Sequence, residues 1–369
     1  MAEPDAAAAG HPAPAAGDPP PLRIHWRLPL NEDAPPGSVE GARPDLPALV
    51  AFCRLAERSG IDSLLLACGA ALPDPVPLAA ALGPATERVR FLLAHRPGLV
   101  SPTLFVQQVN TVAALAGGRV SLNLVIGHSE REQRAYGDTL PHDARYRRAD
   151  ELLAVCRALW EGREVDFAGE HLRVERARLA LPFAGERGAP EIYLSGSSEE
   201  ARAVARRHAD CWLTLGKPPV EVAAEAAPLV AAGVEVGMRL SLVLRPRRAD
   251  AVRAAYELAG GGDAAWVRRV FVEGSVAEGV GEAFARAGER DGDWFPPCGW
   301  RGLVAARGPS AIALVGSPED VAAAILAYRD AGVSQLIFSG WPSAATLELF
   351  AAEVLPRVRA GEAAGAAAG

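Results

Sequence analysis

Apolar positions along the chain follow two rhythms. Short runs of strand length alternate with longer stretches whose apolar residues recur at helical spacing. The short runs are Leu22–Leu28, Ile61–Ala67, Val89–His95, Val120–Ile126, Glu191–Leu194, Cys211–Leu215, Val236–Leu244 and Ser334–Ser339. Between them the spacing predicts helices over Asp45–Ser59, Pro75–Leu82, Pro102–Ala116, Ala144–Trp160, Glu199–Arg207, Pro219–Ala232 and Asp250–Leu258. Two more are predicted near the end, from Ser317-Pro318 to Ala331 and over Ala344–Val354. The strongest is Ala144–Trp160, where Leu152, Leu153, Val155, Cys156 and Leu159 fall on one face. A hairpin is expected from Glu164–Phe167 and His171–Val174 around Ala168-Gly169.

Strands that are apolar throughout are buried on both faces, as in a parallel sheet covered by helices. Eight such strand–helix alternations predict an α/β fold, a (β/α)8 TIM barrel with insertions, over 22–356 as a single domain. An open doubly wound sheet is the alternative. No G-x-G-x-x-G follows a strand, which weakens a dinucleotide-binding version of it. Residues 260–309 break the rhythm with Gly260-Gly261-Gly262, Trp294, Cys298 and Trp300. A long insertion there reads as a lid-like segment. The Ala/Pro-rich stretch 1–21 and the Ala/Gly-rich stretch 357–369 are expected to be disordered tails.

Composition narrows the function classes. The chain has 369 residues and a formal net charge of −7, so nothing favours a nucleic-acid or anionic-membrane partner. No apolar stretch reaches the roughly 18 residues of a membrane span. Five cysteines, odd in number and without a C-x-x-C, suggest neither a disulfide framework nor a zinc site, and fit a reducing, cytoplasmic setting. Lys217 is the only lysine, the other cations being arginines.

In a barrel, chemistry gathers at the C-terminal ends of the strands. His95-Arg96 follow the third strand, and Asn123 and Gly127-His128 mark the fourth. After the fifth comes Ser195-Gly196-Ser197-Ser198 with Glu199-Glu200. A strand, a turn of small residues and a helix start expose free N–H groups and a positive dipole end, a setting for an anion such as phosphate. An ordinary helix cap reads the same way. His142 and Tyr146, four apart, share one face of a helix start. His95 and His128 are either polar groups at the barrel mouth or satisfied loop histidines. Arg239 interrupts an otherwise apolar seventh strand, either as an oxyanion clamp or as half of a buried ion pair. No H-x-H, H-E-x-x-H or G-x-S-x-G spacing occurs, so no metal site is expected.

Together these motifs resemble the luciferase-like flavin monooxygenase superfamily, and within it the alkanesulfonate monooxygenase branch. The resemblance is carried by Arg96-Pro97-Gly98-Leu99-Val100-Ser101-Pro102-Thr103, Gly117-Gly118-Arg119 and Asn123-Leu124-Val125. His142 with Arg145-Tyr146, Ser195–Ser198, Leu213–Pro219, Arg239–Val243, Arg307-Gly308 and Ser339-Gly340-Trp341-Pro342 extend it in the same order. It implies a two-component oxidoreductase. Reduced FMN arrives from a separate NAD(P)H:flavin reductase, O2 adds to it, and the resulting flavin peroxide oxygenates a small organic substrate. Members of the family are usually homodimers or homotetramers.

Carried over residue by residue, the resemblance places Ser197 and Ser198 at the FMN phosphate with Tyr146 and His142 nearby, and Ala94 and Asn123 along the flavin ring. Arg239 and Arg307 would hold the substrate anion or steady the peroxide, with Ser241 and Trp341 beside them. The departures lie on the substrate side. The sulfonate branch has a histidine where Ser241 stands and a tyrosine where Trp341 stands. A cysteine expected after the second strand is replaced near Leu72, with Cys68 close by, and a Trp-Gly-Glu-Pro-Pro motif has become Leu215–Pro219. Losing the histidine removes a titratable group, and Trp341 is expected to enlarge an apolar wall. The substrate implied is therefore not a simple alkanesulfonate. Carbon–sulfur cleavage of an alkanesulfonate, hydride transfer with a deazaflavin, and a non-catalytic flavin-binding subunit are the alternatives.

Overall fold

All eight apolar runs form parallel strands in a computed structural model that describes residues 21–30, 43–287 and 293–366. Nearly all of the expected N-terminal tail lies outside the described residues. The strands are β1 (Arg23–Arg27), β2 (Ser63–Leu66), β3 (Arg90–His95), β4 (Val120–Leu124), β5 (Glu191–Ser195), β6 (Cys211–Leu215), β7 (Glu235–Leu244) and β8 (Gln335–Gly340). Each pairs with the next, and β8 returns to pair with β1, Arg23 opposite Gln335 and Trp26 opposite Phe338. The sheet is a closed eight-stranded barrel with surrounding helices, a (β/α)8 TIM barrel.

Helices α1 (Leu46–Arg58), α2 (Pro75–Leu82), α3 (Pro102–Leu115), α4 (His142–Trp160), α5 (Glu199–His208) and α6 (Pro219–Val230) follow the first six strands. After β7 come α7 (Arg248–Gly260), α8 (Glu278–Arg286) and α9 (Pro318–Asp330), and α10 (Leu355–Ala366) follows β8. Their starts are written locally. Asp45, Asp74, Ser101, Ser198 and Ser317 each accept a backbone N–H from the first turn of the helix they precede. No helix among the described residues is long and apolar enough to cross a membrane.

Strand alternation sorts side chains into two cores. Leu64, Leu66, Phe91 and Leu93 pack outward under the helices, whereas Leu65, Leu92, Ala94, Leu213 and Ile337 pack in the lumen. Near the N-terminal ends of the strands the lumen is polar. Buried His25 is hydrogen-bonded through Nδ1 to Ser63 Oγ at 2.6 Å and through Nε2 to Gln335 Oε1 at 2.9 Å. Arg23 beside it pairs with Glu191 at 2.6 Å and Glu235 at 2.8 Å.

The structure departs from expectation in three places. His95 does not face the mouth. It is one residue out of phase with lumen-facing Ala94, so it stacks on Phe105 of α3, ring centroids 3.8 Å apart. Residues 357–366 are helix rather than loose tail: Val358 is buried, Glu362 accepts the Leu22 N–H at 2.6 Å, and Arg359 donates to the Leu22 carbonyl at 2.8 Å. Docking against β1 orders a segment that composition alone would leave free. Third, β7 is ten residues long, and its upper half takes an unforeseen parallel partner, Ala313–Gly316, with Ser241 opposite Ala313. Two antiparallel stubs, Gly299–Trp300 and Trp294–Phe295, extend that edge, so the insertion is built onto the barrel.

Burial lowers the pKa of both His25 and His95 to about 3, from 6.5. The unfolded chain therefore takes up protons below pH 6.5 that the folded one refuses, and stability falls as pH drops from 6.5 toward 3. Each histidine contributes a slope of about 1.4 kcal/mol per pH unit in that window. Urea unfolding of His95→Phe between pH 6 and 4 should show that slope reduced by about one proton's worth. An unchanged slope would mean His95 is not held neutral.

Candidate active site

The barrel opens at the C-terminal ends of β4 to β7 into a cavity of about 320 Å³. Its lining is mostly apolar, with Leu65, Val125, Ile126, Leu213, Leu215 and Ile337 contributing. Two parts of this wall concern the candidate residues most: the turn after β5, and Arg239 midway along β7.

At the first, β5 ends at Ser195 and the chain turns through Gly196, whose φ is +147°. A Cβ there would lie 2.2 Å from Tyr146 Oη and 2.7 Å from Ala201 Cβ, so only glycine fits. The Trp212 indole N–H donates to the Gly196 carbonyl at 2.6 Å and fixes the turn from β6. Ser198 Oγ then accepts the Ala201 N–H at 3.2 Å and starts α5. Glu199, at the first position of α5, pairs with Arg202 at 3.3 Å and Arg206 at 2.6 Å. Tyr146 reaches in from the first turns of α4 and donates to the Ser195 carbonyl at 3.4 Å. Burial pushes its phenol pKa up, so it stays a neutral donor. The His142 ring meets the Tyr146 ring edge-on, centroids 5.2 Å apart. Asn123 Oδ1 accepts from Ser195 Oγ at 3.0 Å and ties β4 to the same turn.

At the second, Arg239 lines the cavity. Its Nη1 donates to the Leu240 carbonyl at 3.1 Å and the Ile337 carbonyl at 3.3 Å, and its Nη2 to Ser339 Oγ at 3.1 Å.

The structure brings Asn123, His142, Tyr146, Ser197, Ser198 and Arg239 to one cavity. Ala94 lies in the lumen core beside Leu65, which reaches the wall. The other three expected residues are not among those lining the cavity. Ser241 is buried behind Arg239. Arg307 lies over the Trp341 ring, 5.5 Å from its centroid, and its Nε donates to the Leu258 carbonyl at 3.3 Å. Trp341 packs with Trp294 and Trp300 in the core beneath the insertion, not on an enlarged cavity wall. Burial lowers the pKa of Arg307.

Two participants were missed from sequence. Ala277–Val280, at the start of α8, line the cavity, and a Cβ on Gly279 would lie 3.0 Å from Ser197 Oγ. The insertion is pinned there by backbone pairing, the Val276 N–H donating to the His128 carbonyl at 2.9 Å, and by His128 stacking on Phe271. Lys217 is the second. It is buried on the wall and paired with Glu225 at 2.7 Å and Glu282 of α8 at 3.3 Å. Its being the sole lysine was the available signal.

A closed parallel barrel with an apolar cavity at the C-terminal ends of its strands is the frame of a TIM-barrel enzyme. Residues 23–335 match the family described as luciferase-like monooxygenase, and the chain belongs to that family of oxidoreductases. Among solved structures it is similar to riboflavin lyase RcaE, with modified FMN and riboflavin, at 20% identity, 92% of each chain covered and TM-score 0.73. It is similar to long-chain alkane monooxygenase LadA at 18% identity, 92% of each chain and TM-score 0.74. It is also similar to the coenzyme F420-dependent tetrahydromethanopterin reductase of Methanopyrus kandleri at 17% identity, 92% of this chain, 100% of that one and TM-score 0.64. At these identities the likeness establishes the fold.

Two ion pairs tie α8 to the barrel side of the cavity, Lys217–Glu282 and Arg286–Glu221, the latter at 2.5 Å. An exposed pair such as Arg286–Glu221 is worth about 0.2–1 kcal/mol. The double variant Glu221→Gln/Glu282→Gln should be cut by protease within 264–287 several-fold faster than wild type, with a melting temperature changed by only a few degrees. Equal cutting rates would show that α8 is held by other contacts.

Proposed function

We propose that this chain is the oxygenating component of a two-component monooxygenase. On this reading it binds reduced FMN delivered by a separate NAD(P)H:flavin reductase and oxygenates a small, largely apolar organic substrate other than a simple alkanesulfonate. The observation that carries the reading is the Ser195–Ser198 turn at one end of the apolar cavity. That turn presents the N-terminus of a ten-residue helix, a serine hydroxyl and the neighbouring Tyr146 and His142. This donor set suits a phosphate dianion, and the apolar wall suits a flat ring system, so the residues present fit FMN.

Ser197, Ser198 and the first N–H groups of α5 would hold the phosphate, with Tyr146 and His142 flanking it. Asn123 and Ala94 would support the ring edge at the ends of β4 and β3. When bound, reduced FMN supplies the electron pair that activates O2. Arg239 would donate hydrogen bonds to negative charge developing on oxygen at the reacting centre, a role that needs a group already in place. The apolar wall and Ala277–Val280 would keep water from that centre. A substrate with an apolar body follows from the same wall. The likeness to an F420-dependent reductase supports a second reading, hydride transfer with a deazaflavin, in which no O2 is consumed. We further propose that the active form is a homo-oligomer.

Anaerobic titration with oxidised and then reduced FMN, followed by tryptophan fluorescence, tests the first reading. Reduced FMN should bind clearly more tightly. Ser197→Ala and Tyr146→Phe should each weaken both forms by about tenfold, the cost of one hydrogen bond to a charged group. Binding of a deazaflavin without FMN binding would establish the second reading. Efficient sulfite release from short alkanesulfonates would overturn the substrate assignment.

A further inference from the structure

Behind Arg239 lies a chain of hydrogen bonds whose direction is set by its far end. The Ser310 carbonyl can only accept, so the Ser241 hydroxyl donates to it, at 2.9 Å. That spends the single proton of Ser241, whose Oγ therefore accepts from the Ser339 hydroxyl at 3.0 Å. Ser339 Oγ, its own proton spent in turn, accepts from Arg239 Nη2 at 3.1 Å. Both serines are buried, 1% and 3% exposed, so water does not compete for these bonds. Their positions follow from strand alternation. Arg239 and Ser241 on β7 face the same side, and β8 sets Ile337 opposite Arg239 and Ser339 opposite Ser241.

We infer that Ser339 and Ser241 are positioning residues that aim the Arg239 guanidinium into the cavity and thereby make the site select a ligand ring that carries negative charge. The inference rests on the flavin reading above. Reduced flavin is an anion on its ring near neutral pH, and oxidised flavin is neutral there. The phosphate turn treats the two alike. A guanidinium held at a fixed place on the wall does not, because a charge that must first be reoriented gives up much of its advantage. The relay itself, two serine hydroxyls and a backbone carbonyl, contains no group that titrates near neutral pH. A histidine in place of Ser241 would make it pH-dependent. Ser310 lies in the short turn Pro309–Ala311 that ends the insertion, so the same chain joins the insertion to the cavity cation.

The test compares affinities for oxidised and reduced FMN, measured anaerobically by tryptophan fluorescence. Ser339→Ala should cut the preference for the reduced form about tenfold while the affinity for oxidised FMN stays within about twofold. Ser339→Thr, which keeps the hydroxyl, should restore the preference. Ser339→Ala combined with Arg239→Ala should be no worse than Arg239→Ala alone, because both changes remove one function. Ser241→Ala, one step further back, should lower the preference less, and it serves if Ser339→Ala does not fold. Ser241→His should bring in a pH-dependent limb near the histidine range. Equal weakening of both FMN forms in Ser339→Ala, or an unchanged preference, would overturn the inference. If the wild type binds neither form, the flavin reading fails first. Crystal structures of wild type and Ser339→Ala then decide the relay: Arg239 must leave its place by more than about an ångström when Ser339 is lost, and an unmoved guanidinium overturns it.

Discussion

Closure of the sheet is the constraint on which the rest depends. Once β8 pairs with β1, every inward side chain of eight strands must share one lumen, and every outward one must be covered by a helix. Because side chains alternate, a residue's parity on its strand decides which of two environments it enters. Leu65 goes inward between outward Leu64 and Leu66. The stacking of His95 on α3 and the placing of Arg239 at the cavity follow from the same rule acting on different strands.

Along the lumen the environment changes by layers. At the N-terminal end, Arg23, Glu191, Glu235, His25 and Gln335 bond one another. Leu92, Leu213 and Ile337 fill the middle. At the C-terminal end the packing stops and a cavity begins, with Arg239 and the Ser195–Ser198 turn on its wall.

Barrel and insertion meet along β7. Its lower half pairs with β6, and its upper half holds the Ala313–Gly316 strand. Arg239 and Ser241 are therefore two residues apart in sequence yet lie on either side of that junction, one at the cavity and one bonded to the insertion. The aromatic cluster of Trp294, Trp300 and Trp341 covers the same junction and takes Arg307 with it. Residues that a family comparison groups in one site are thus divided here between the cavity wall and its support.

Much of this was legible in the sequence because it depends on neighbours a few residues apart. The barrel strands were apolar runs, the helix starts were Asp or Ser before proline or acidic turns, and Ser195–Ser198 announced a strand-to-helix turn by its small residues. Arg239 stood out because a charged residue inside an apolar strand demands a reason. What tertiary structure alone decided were the contacts between segments distant in sequence. The inward or outward face of His95 turned on a phase shift of one residue. Order in 357–366 came from packing against β1 some 340 positions away, with Glu362 reaching Leu22. The seat of Arg307 and Trp341, and the chain from Ser310 to Arg239, depend on how the insertion folds back onto β7. Local pattern carries the energy of caps, turns and strand alternation, whereas the reach of a side chain into a shared cavity depends on which distant backbone stands opposite it.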